Sequence, residues 1–426
     1  MKPFSKLTAA ASLLACCYAG QSLAAVTPTS VIKHYADIAL AKYEDSLSGA
    51  KILQTQIDTF LSNPTPETLQ GARDAWVASR VPYQQSEAYR FGNAIVDDWE
   101  GRVNAWPLDE GLIDYIDADF YGEESEENPL YTANVIANPS LTLGGQTIDA
   151  TDITPELLAG QLHEIDGIEA NVATGYHAIE FLLWGQDLNG TDQGAGNRPA
   201  TDFSEENCTG GHCDRRRAYL SAATTLLITD LEEMVGNWRD GGAARKALAD
   251  KGEAGALATI LTGLGSLSYG ELAGERTKLG LMLHDPEEEH DCFSDNTHNS
   301  HYYDAMGIRN VYLGEYQRVN GEVLKGSSIS QLVAAKAPEV DARLREELDA
   351  TQAVMHKMVD AAKDGNTFDV LIASGNKAGN ALVQAAVDAL TTQTRSIEKA
   401  IQALELGNIE LEGSDSLDNP SAVTGG

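Results

Sequence analysis

The chain has 426 residues, of which 64 are acidic and 30 are basic, so its formal net charge at pH 7 is −34. Nucleic acids and anionic membrane surfaces are themselves negatively charged, so this charge argues against both as partners. The surplus of carboxylates is compatible with attracting cations, although solubility alone also explains it. The length allows two or three domains of ordinary size.

The first 24 residues have the three parts of a secretory signal. Met1–Lys6 is a basic region, Leu7–Ala15 is an apolar core, and Ser22–Ala24 is a cleavage site with small residues. We therefore predict a signal peptide over residues 1–24 and an exported protein, in the periplasm or associated with the outer membrane. The alternative is a lipoprotein signal with Cys16 as the lipid-bearing N-terminus, and only that anchor would attach the protein to a membrane. No later apolar run approaches the ~20 residues that span a bilayer.

Helical periodicity and helix start signals dominate the rest of the chain, without a convincing series of alternating strands. The pattern predicts an amphipathic helix over 31–61. Thr65 and Pro66 then open a second helix that runs to about Tyr89, because threonine is a good N-cap and proline is tolerated at the first helical position. Residues 138–149 are a candidate small hairpin. Further long helices are predicted from Asp214 and over 254–283, 340–362 and 377–404.

These elements predict an all-α fold with two helical bundles of about four helices each and long ordered loops. We expect the N-terminal bundle over residues 27–203 and the C-terminal bundle over 214–408. The boundary lies somewhere in 204–213, and residues 412–426 form a flexible tail without a core.

Three cysteines remain after the signal peptide. The segment Cys208-Thr-Gly-Gly-His-Cys213 predicts a small disulfide-closed loop, as expected in an oxidising compartment. The alternative is a metal clip through Cys208, His212 and Cys213. Cys292 is then left as a free, buried thiol.

The strongest candidate for chemistry is the apolar helix that carries the motif Gly-x-His-x-x-Glu at Gly175, His177 and Glu180. A spacing of three places the imidazole and the carboxylate on one helix face, about a turn apart. Metal sites in helical bundles use two such ligands on one helix and take further ligands from facing helices. A pair of structural polar groups that satisfy each other is the alternative.

Two other regions offer partners for that pair. Glu87 lies in a polar set within the second helix, where Arg90 could instead neutralise it. The second polar concentration of the chain contains four candidate side chains, namely His290, Asp295, His298 and His301. His298 and His301 share a helix face, and capping of that helix by Ser294 or Asp295 explains the polar residues before it without any metal.

The common hydrolase and nucleotide motifs are absent from the sequence. The zincin pattern His-Glu-x-x-His fails at His163, because Gly167 stands where the second histidine would be, and Glu180 is followed by Phe181. A peptidase would have to assemble its zinc ligands and its general base from scattered positions. The motifs alone therefore do not support hydrolysis.

Several separated motifs together resemble the imelysins, the insulin-cleaving membrane protease family, and most closely the iron-regulated protein A branch. The resemblance spans about residues 30 to 405. Its motifs are Gly175-Tyr-His-Ala-Ile-Glu180 with Phe-Leu-Leu-Trp-Gly185, Arg90-Phe-Gly-Asn, Arg102-Val-Asn-Ala-Trp-Pro-Leu-Asp109, Cys292-Phe-Ser-Asp-Asn-Thr-His298, His301-Tyr-Tyr-Asp-Ala and Gly307-Ile-Arg-Asn-Val-Tyr-Leu-Gly314. It implies an exported protein of two helical bundles with a metal site near the Gly-x-His-x-x-Glu helix. It also implies a link to bacterial iron uptake and carries a metallopeptidase label.

We therefore predict an exported metal-binding protein of iron uptake or iron response. Its expected metal ligands are His177, Glu180, Glu87, Asp295, His298 and His301. Nitrogen and oxygen ligands suit iron, zinc or copper, and the partner is the metal ion, its chelate or a peptide. The alternative is a metallopeptidase at the same site, with Glu180 or Glu87 as the base.

Overall fold

The computed structural model describes residues 26–126, 128–143 and 145–423. The predicted signal peptide and Cys16 lie outside the described residues. Within the described ranges, no helix is long and apolar enough to cross a lipid bilayer.

The described chain is mainly helical, which confirms the all-α class. Its first part contains α1 (Pro28–Ser62), α2 (Pro66–Gln84), α3 (Ala94–Asn104), α4 (Ala118–Tyr121), α5 (Pro155–Leu157) and α6 (Gly175–Trp184). Its second part contains α7 (Cys213–Trp238), α8 (Ala243–Asp250), α9 (Gly252–Ser266), α10 (Leu279–Leu283), α11 (Thr297–Leu313), α12 (Ile329–Lys336), α13 (Pro338–Ala362), α14 (Phe368–Ile372), α15 (Lys377–Ala403), α16 (Asp415–Asp418) and α17 (Pro420–Val423).

Short irregular helices and two hairpins complete the fold. Single 3₁₀ turns occur at Glu87–Tyr89, Glu110–Leu112, Ile165–Gly167, Ala200–Phe203 and Pro286–Glu288, and π-helical segments at Leu158–Leu162 and Leu267–Lys278. Strand β1 (Ser140–Leu143) pairs antiparallel with β2 (Gln146–Asp149), which confirms the hairpin predicted over 138–149. Strand β3 (Glu315–Gln317) pairs antiparallel with β4 (Val323–Lys325).

The first two helices, α1 and α2, are joined by a short connection and pack against each other. Thr65 caps α2 by accepting a hydrogen bond from the backbone N–H of Thr68, and Pro66 follows at the first helical position. The two helices approach closely where Gly49 of α1 faces Ser79 of α2, because a Cβ at Gly49 would lie 3.1 Å from the Ser79 Cα.

The helix predicted over 254–283 is continuous, but it changes to π-helical geometry at Leu267–Lys278 between α9 and α10. Its glycines allow the close approach of a neighbour. The neighbour is the C-terminal segment: a Cβ at Gly265 would lie 2.5 Å from a Leu411 side-chain carbon, and one at Gly270 would lie 2.7 Å from the Glu412 carbonyl oxygen. Part of the predicted tail therefore packs on this helix, and Ser416 donates a hydrogen bond of 3.0 Å to the Gly274 carbonyl.

The buried apolar side chains form one connected core. Helix α1 packs against both α2 and α7, whereas α13 packs against α11 and α15, and α11 also contacts α2. The division into two domains stays a prediction. Cys208 and Cys213 form the predicted disulfide, and Cys292 is free and only partly buried.

Candidate metal centre

Helix α6 is fixed at its start by a close contact with the end of α3. Gly175 has a φ of +82°, and a Cβ at this position would lie 2.5 Å from the carbonyl oxygen of Val103. The Thr174 hydroxyl donates a hydrogen bond of 2.8 Å to the Arg102 carbonyl. The glycine of the motif therefore lets the helix begin against α3, and this contact sets the position of His177 two residues further on.

His177 and Glu180 face each other on α6, as the spacing predicted. The His177 Nδ1 lies 3.0 Å from Glu180 Oε2, and both side chains are essentially inaccessible to solvent. The other carboxylate oxygen, Glu180 Oε1, accepts hydrogen bonds from the Ser294 N–H (3.0 Å) and from the Ser294 hydroxyl (2.7 Å). Within the described part of the chain, His177 Nε2 has no hydrogen-bond partner.

The groups that meet His177 come from the loop before α11. The His290 ring lies 4.8 Å from the His177 ring, centre to centre, and Asp291 Oδ1 lies 3.9 Å from His177 Nδ1. One ligand atom from each of these three residues lies within 4.8 Å of the other two. Neither ring nitrogen of His290 has a hydrogen-bond partner among the described residues, although the side chain is 1% exposed.

Asp291 is held in place by a dense set of polar contacts. Its Oδ1 accepts a hydrogen bond of 2.7 Å from Arg80, and its Oδ2 accepts hydrogen bonds from Asn296 and Ser300. Its backbone N–H donates to the Thr297 hydroxyl at 2.8 Å. A cleft of about 100 Å³ lies beside this network and is lined by Arg80, Asn296 and Ser300 among others.

Burial determines the protonation of the centre. Burial, with the added charge of Arg80, lowers the pKa of His177 to about 3, and burial likewise lowers the pKa of His290 well below its usual value. Burial alone would raise the pKa of Asp291, but the charge of Arg80 keeps this pKa below the ordinary value. Burial and then the charge of Asp291 raise the pKa of Glu180. At neutral pH the two imidazoles are therefore uncharged, which is the form that binds metals.

Glu87, a predicted ligand, lies in a different polar network. Glu87 Oε2 lies 2.8 Å from an Arg276 guanidinium nitrogen, and Arg276 also pairs with Glu271 and Asp304. Arg276, rather than Arg90, therefore supplies the direct ion pair to Glu87, because Arg90 pairs with Asp97, Glu100 and Glu271. The metal-ligand role of Glu87 stays a prediction.

His298 and His301 lie on α11 near this centre but have other neighbours. His298 Nε2 lies 3.1 Å from the side-chain amide nitrogen of Asn299. His301 Nδ1 lies 3.4 Å from the Thr277 hydroxyl, and its ring packs on Phe368 at 5.2 Å. In the described ranges, the three-residue group around His177 includes neither of them. Their role as ligands stays a prediction.

Asp295 lies in a second cluster, with Asp187 and Asp369. Burial and then the neighbouring Asp369 and Asp187 raise the pKa of Asp295 to about 8. The expected capping role is not observed, since α11 begins at Thr297 after Asn296. Ser294 binds Glu180 instead, as described above.

His290 was a candidate side chain but not one of the expected ligands, and neither Asp291 nor Arg80 was predicted. The available signal was the dipeptide His290-Asp291 inside the second polar stretch. Which of its many polar side chains would face His177 depends on tertiary packing, and spacing along one segment does not determine that.

Comparison with known proteins agrees with the resemblance of the motifs. A family model described as imelysin matches residues 39–397. The chain belongs to the imelysin family. A curated relative, iron-regulated protein A of Synechococcus elongatus, is 30% identical to this imelysin over 103 residues. That match covers 24% of this chain and 28% of the relative, so the chain aligns with little more than a quarter of it.

Two solved structures share the fold of this imelysin. The first is a candidate iron-regulated protein A precursor from Parabacteroides distasonis, with a TM-score of 0.62 and 18% identity over 90% of this chain and 97% of that one. The second is an imelysin-like protein from Psychrobacter arcticum, with a TM-score of 0.56 and 18% identity over 89% of this chain and 98% of that one.

Proposed function

We propose that this imelysin is an exported metal-binding protein of bacterial iron uptake or iron response, and that His177, His290 and Asp291 hold the ion. One observation carries the proposal: unpartnered ring nitrogens of two buried, neutral histidines lie beside a buried carboxylate. Buried polar groups in proteins are almost always hydrogen-bonded. A cation would satisfy these lone pairs and would also offset the charge of Asp291.

The donor set fits a transition metal. Imidazole nitrogen and carboxylate oxygen suit iron, zinc or copper, and three protein ligands leave a coordination position open. Glu180 contacts His177 Nδ1 and would fix the ring so that Nε2 presents its lone pair, as carboxylates do behind metal-bound histidines. This role for Glu180 accounts for its two hydrogen bonds from Ser294 and differs from direct ligation.

The link to iron rests on the relatives. The names of the Synechococcus elongatus relative and of the Parabacteroides distasonis neighbour describe iron-regulated proteins. The signal-like sequence over residues 1–24 supports export. A net charge of −34 would attract cations to the protein surface.

Burial favours holding an ion over cleaving a polypeptide. His177, Glu180, His290 and Asp291 are each at most 1% exposed, so a peptide bond has no open path to them, whereas a metal ion needs only a narrow opening. The peptidase alternative would use Glu180 or Glu87 as its base, and Glu87 is paired with Arg276.

Metal titration tests the proposal. The mature chain would be stripped with a chelator and titrated with Fe²⁺, Zn²⁺ and Cu²⁺ by calorimetry or a competing dye. We expect about one equivalent to bind, and we expect His290→Ala to weaken binding at least about tenfold. His356→Ala is the matched control, because His356 lies on the exposed face of α13 with 53% of its side chain accessible. Circular dichroism would check that each variant folds.

Further variants separate the three-residue set from the larger predicted set. Glu180→Gln should weaken binding by about 10- to 100-fold if the carboxylate orients His177. His298→Ala and His301→Ala should leave the affinity near that of the wild type. Unchanged affinity in a folded His290→Ala variant would refute the assignment of His290.

A further inference from the structure

A second group of carboxylates lies outside the centre around His177. One oxygen from each of Asp187, Asp295 and Asp369 lies within 4.8 Å of the other two. The three residues come from separate parts of the chain: Asp187 follows α6, Asp295 precedes α11, and Asp369 lies in α14. Tertiary packing therefore brings three carboxyl groups together at one point.

Among the described residues, no basic side chain neutralises this carboxylate cluster. Within the described ranges, none of the three aspartates forms an ion pair with a lysine, arginine or histidine. Asp187 Oδ1 accepts hydrogen bonds from the backbone and the side chain of Asn189, at 2.9 and 2.7 Å. Like charges at this separation repel each other, and an isolated buried carboxylate is costly.

Buried oxygens without partners are a second, independent observation. Asp369 is fully buried, and both of its carboxylate oxygens lack a hydrogen-bond partner in the described part of the chain. The same holds for Oδ1 of Asp295, which is 6% exposed, and for Oε1 of Glu289, which is 1% exposed. Asp369 and Asp295 are the charges that act most strongly on Glu289, so this fourth carboxylate lies close to the others.

We propose that Asp187, Asp295 and Asp369 bind a hard divalent cation of the Ca²⁺ class, with Glu289 as a neighbouring fourth carboxylate. Ca²⁺ takes oxygen ligands only, from carboxylates, carbonyls and water, whereas iron, zinc and copper favour the imidazoles of the other centre. The cation would supply the positive charge that the protein does not, and it would join the loop after α6, the loop before α11 and α14. This second site does not rest on the proposed function.

Calcium titration of the chelator-stripped full chain tests the proposal. We expect one Ca²⁺ to bind and the thermal midpoint to rise with Ca²⁺ concentration, because a ligand that binds only the native state stabilises it. Asp369→Asn should weaken Ca²⁺ binding at least about tenfold. Asp364→Asn, at an exposed position two residues after the end of α13, should leave Ca²⁺ binding unchanged.

Thermal midpoints of Asp369→Asn and the Ca²⁺ affinity of a His177 variant distinguish a cation site from a set of protonated carboxyl groups. In the presence of chelator, Asp369→Asn should raise the thermal midpoint, because it removes one of the mutually repelling charges, and with Ca²⁺ it should lower the midpoint relative to the wild type. His177→Ala should keep full Ca²⁺ affinity, which separates this site from the transition-metal centre. No Ca²⁺ binding to the folded wild type, or equal binding by wild type and Asp369→Asn, would overturn the proposal. Asp295→Asn would replace Asp369→Asn if the latter fails to fold.

Discussion

Gly175→Ala adds a single methyl group and tests why the Gly-x-His-x-x-Glu motif begins with glycine. Gly175→Ala would place a side chain at a φ of +82° and put its Cβ 2.5 Å from the Val103 carbonyl oxygen and 2.6 Å from the carbonyl carbon. The left-handed backbone costs an alanine about 1–2 kcal/mol. Overpacking against a backbone that cannot rotate away adds about 1–3 kcal/mol. We therefore expect the free energy of unfolding to fall by about 2–5 kcal/mol.

Gly241→Ala is the matched control for this substitution. Gly241 has a φ of +79°, but a Cβ there would meet no atom within 4 Å, so only the backbone cost of about 1–2 kcal/mol applies. Urea unfolding of both variants in chelator, followed by far-ultraviolet circular dichroism, measures the difference. If Gly175→Ala costs no more than Gly241→Ala, the contact between α6 and α3 does not explain the glycine.

Two more predictions concern buried charge. Arg276→Met leaves Glu87, Glu271 and Asp304 without their shared cation and should lower the free energy of unfolding at neutral pH by about 3–5 kcal/mol. Lys33→Met, which breaks the exposed ion pair with Asp37, should lower it by less than about 1 kcal/mol. Equal losses for the two variants in urea unfolding would contradict this account. Burial lowers the pKa of His301 to about 3, whereas the pKa of an unfolded histidine is about 6.5. Between these two values only the unfolded chain gains the proton, so the free energy of unfolding falls as the pH falls. His301→Gln should therefore reduce the slope of unfolding free energy between about pH 4.5 and 6 by about 1.4 kcal/mol per pH unit, and an unchanged slope would refute the burial argument.

The sequence was most informative where a local rule decides the structure. Helix α2 begins at Pro66 after the Thr65 cap, and α6 ends at Trp184 before Gly185, which has a φ of +71°. Both ends follow from the properties of one or two residues: a hydroxyl that can cap, a fixed φ, or a missing side chain. The same holds for the contact between His177 and Glu180, because helix geometry alone brings residues three apart together.

The rest of the centre was beyond local rules. His290 and Asp291 reach His177 because the loop before α11 folds over α6, and Ser294 holds this arrangement through Glu180. In the sequence, Ser294 has the features of a helix cap, since a serine shortly before a helix usually has that role. Its hydroxyl bonds to a carboxylate over a hundred positions away instead, and no pattern within the loop distinguishes the two outcomes.

One loop serves both proposed sites, and this gives a physical reason for its density of polar residues. Glu289 and Asp295 lie with the carboxylate cluster, while His290 and Asp291 lie with His177. These seven residues, 289–295, must present ligands in two directions. A regular helix would bring side chains back to the same face every three to four residues, so it does not suit this segment. Asp295 accordingly adopts a positive φ of 53°, which turns the chain before α11 begins. The strained backbone of Asp295 and the irregular loop therefore both follow from the need to face two sites. A cation at either site would help to hold the loop in this conformation.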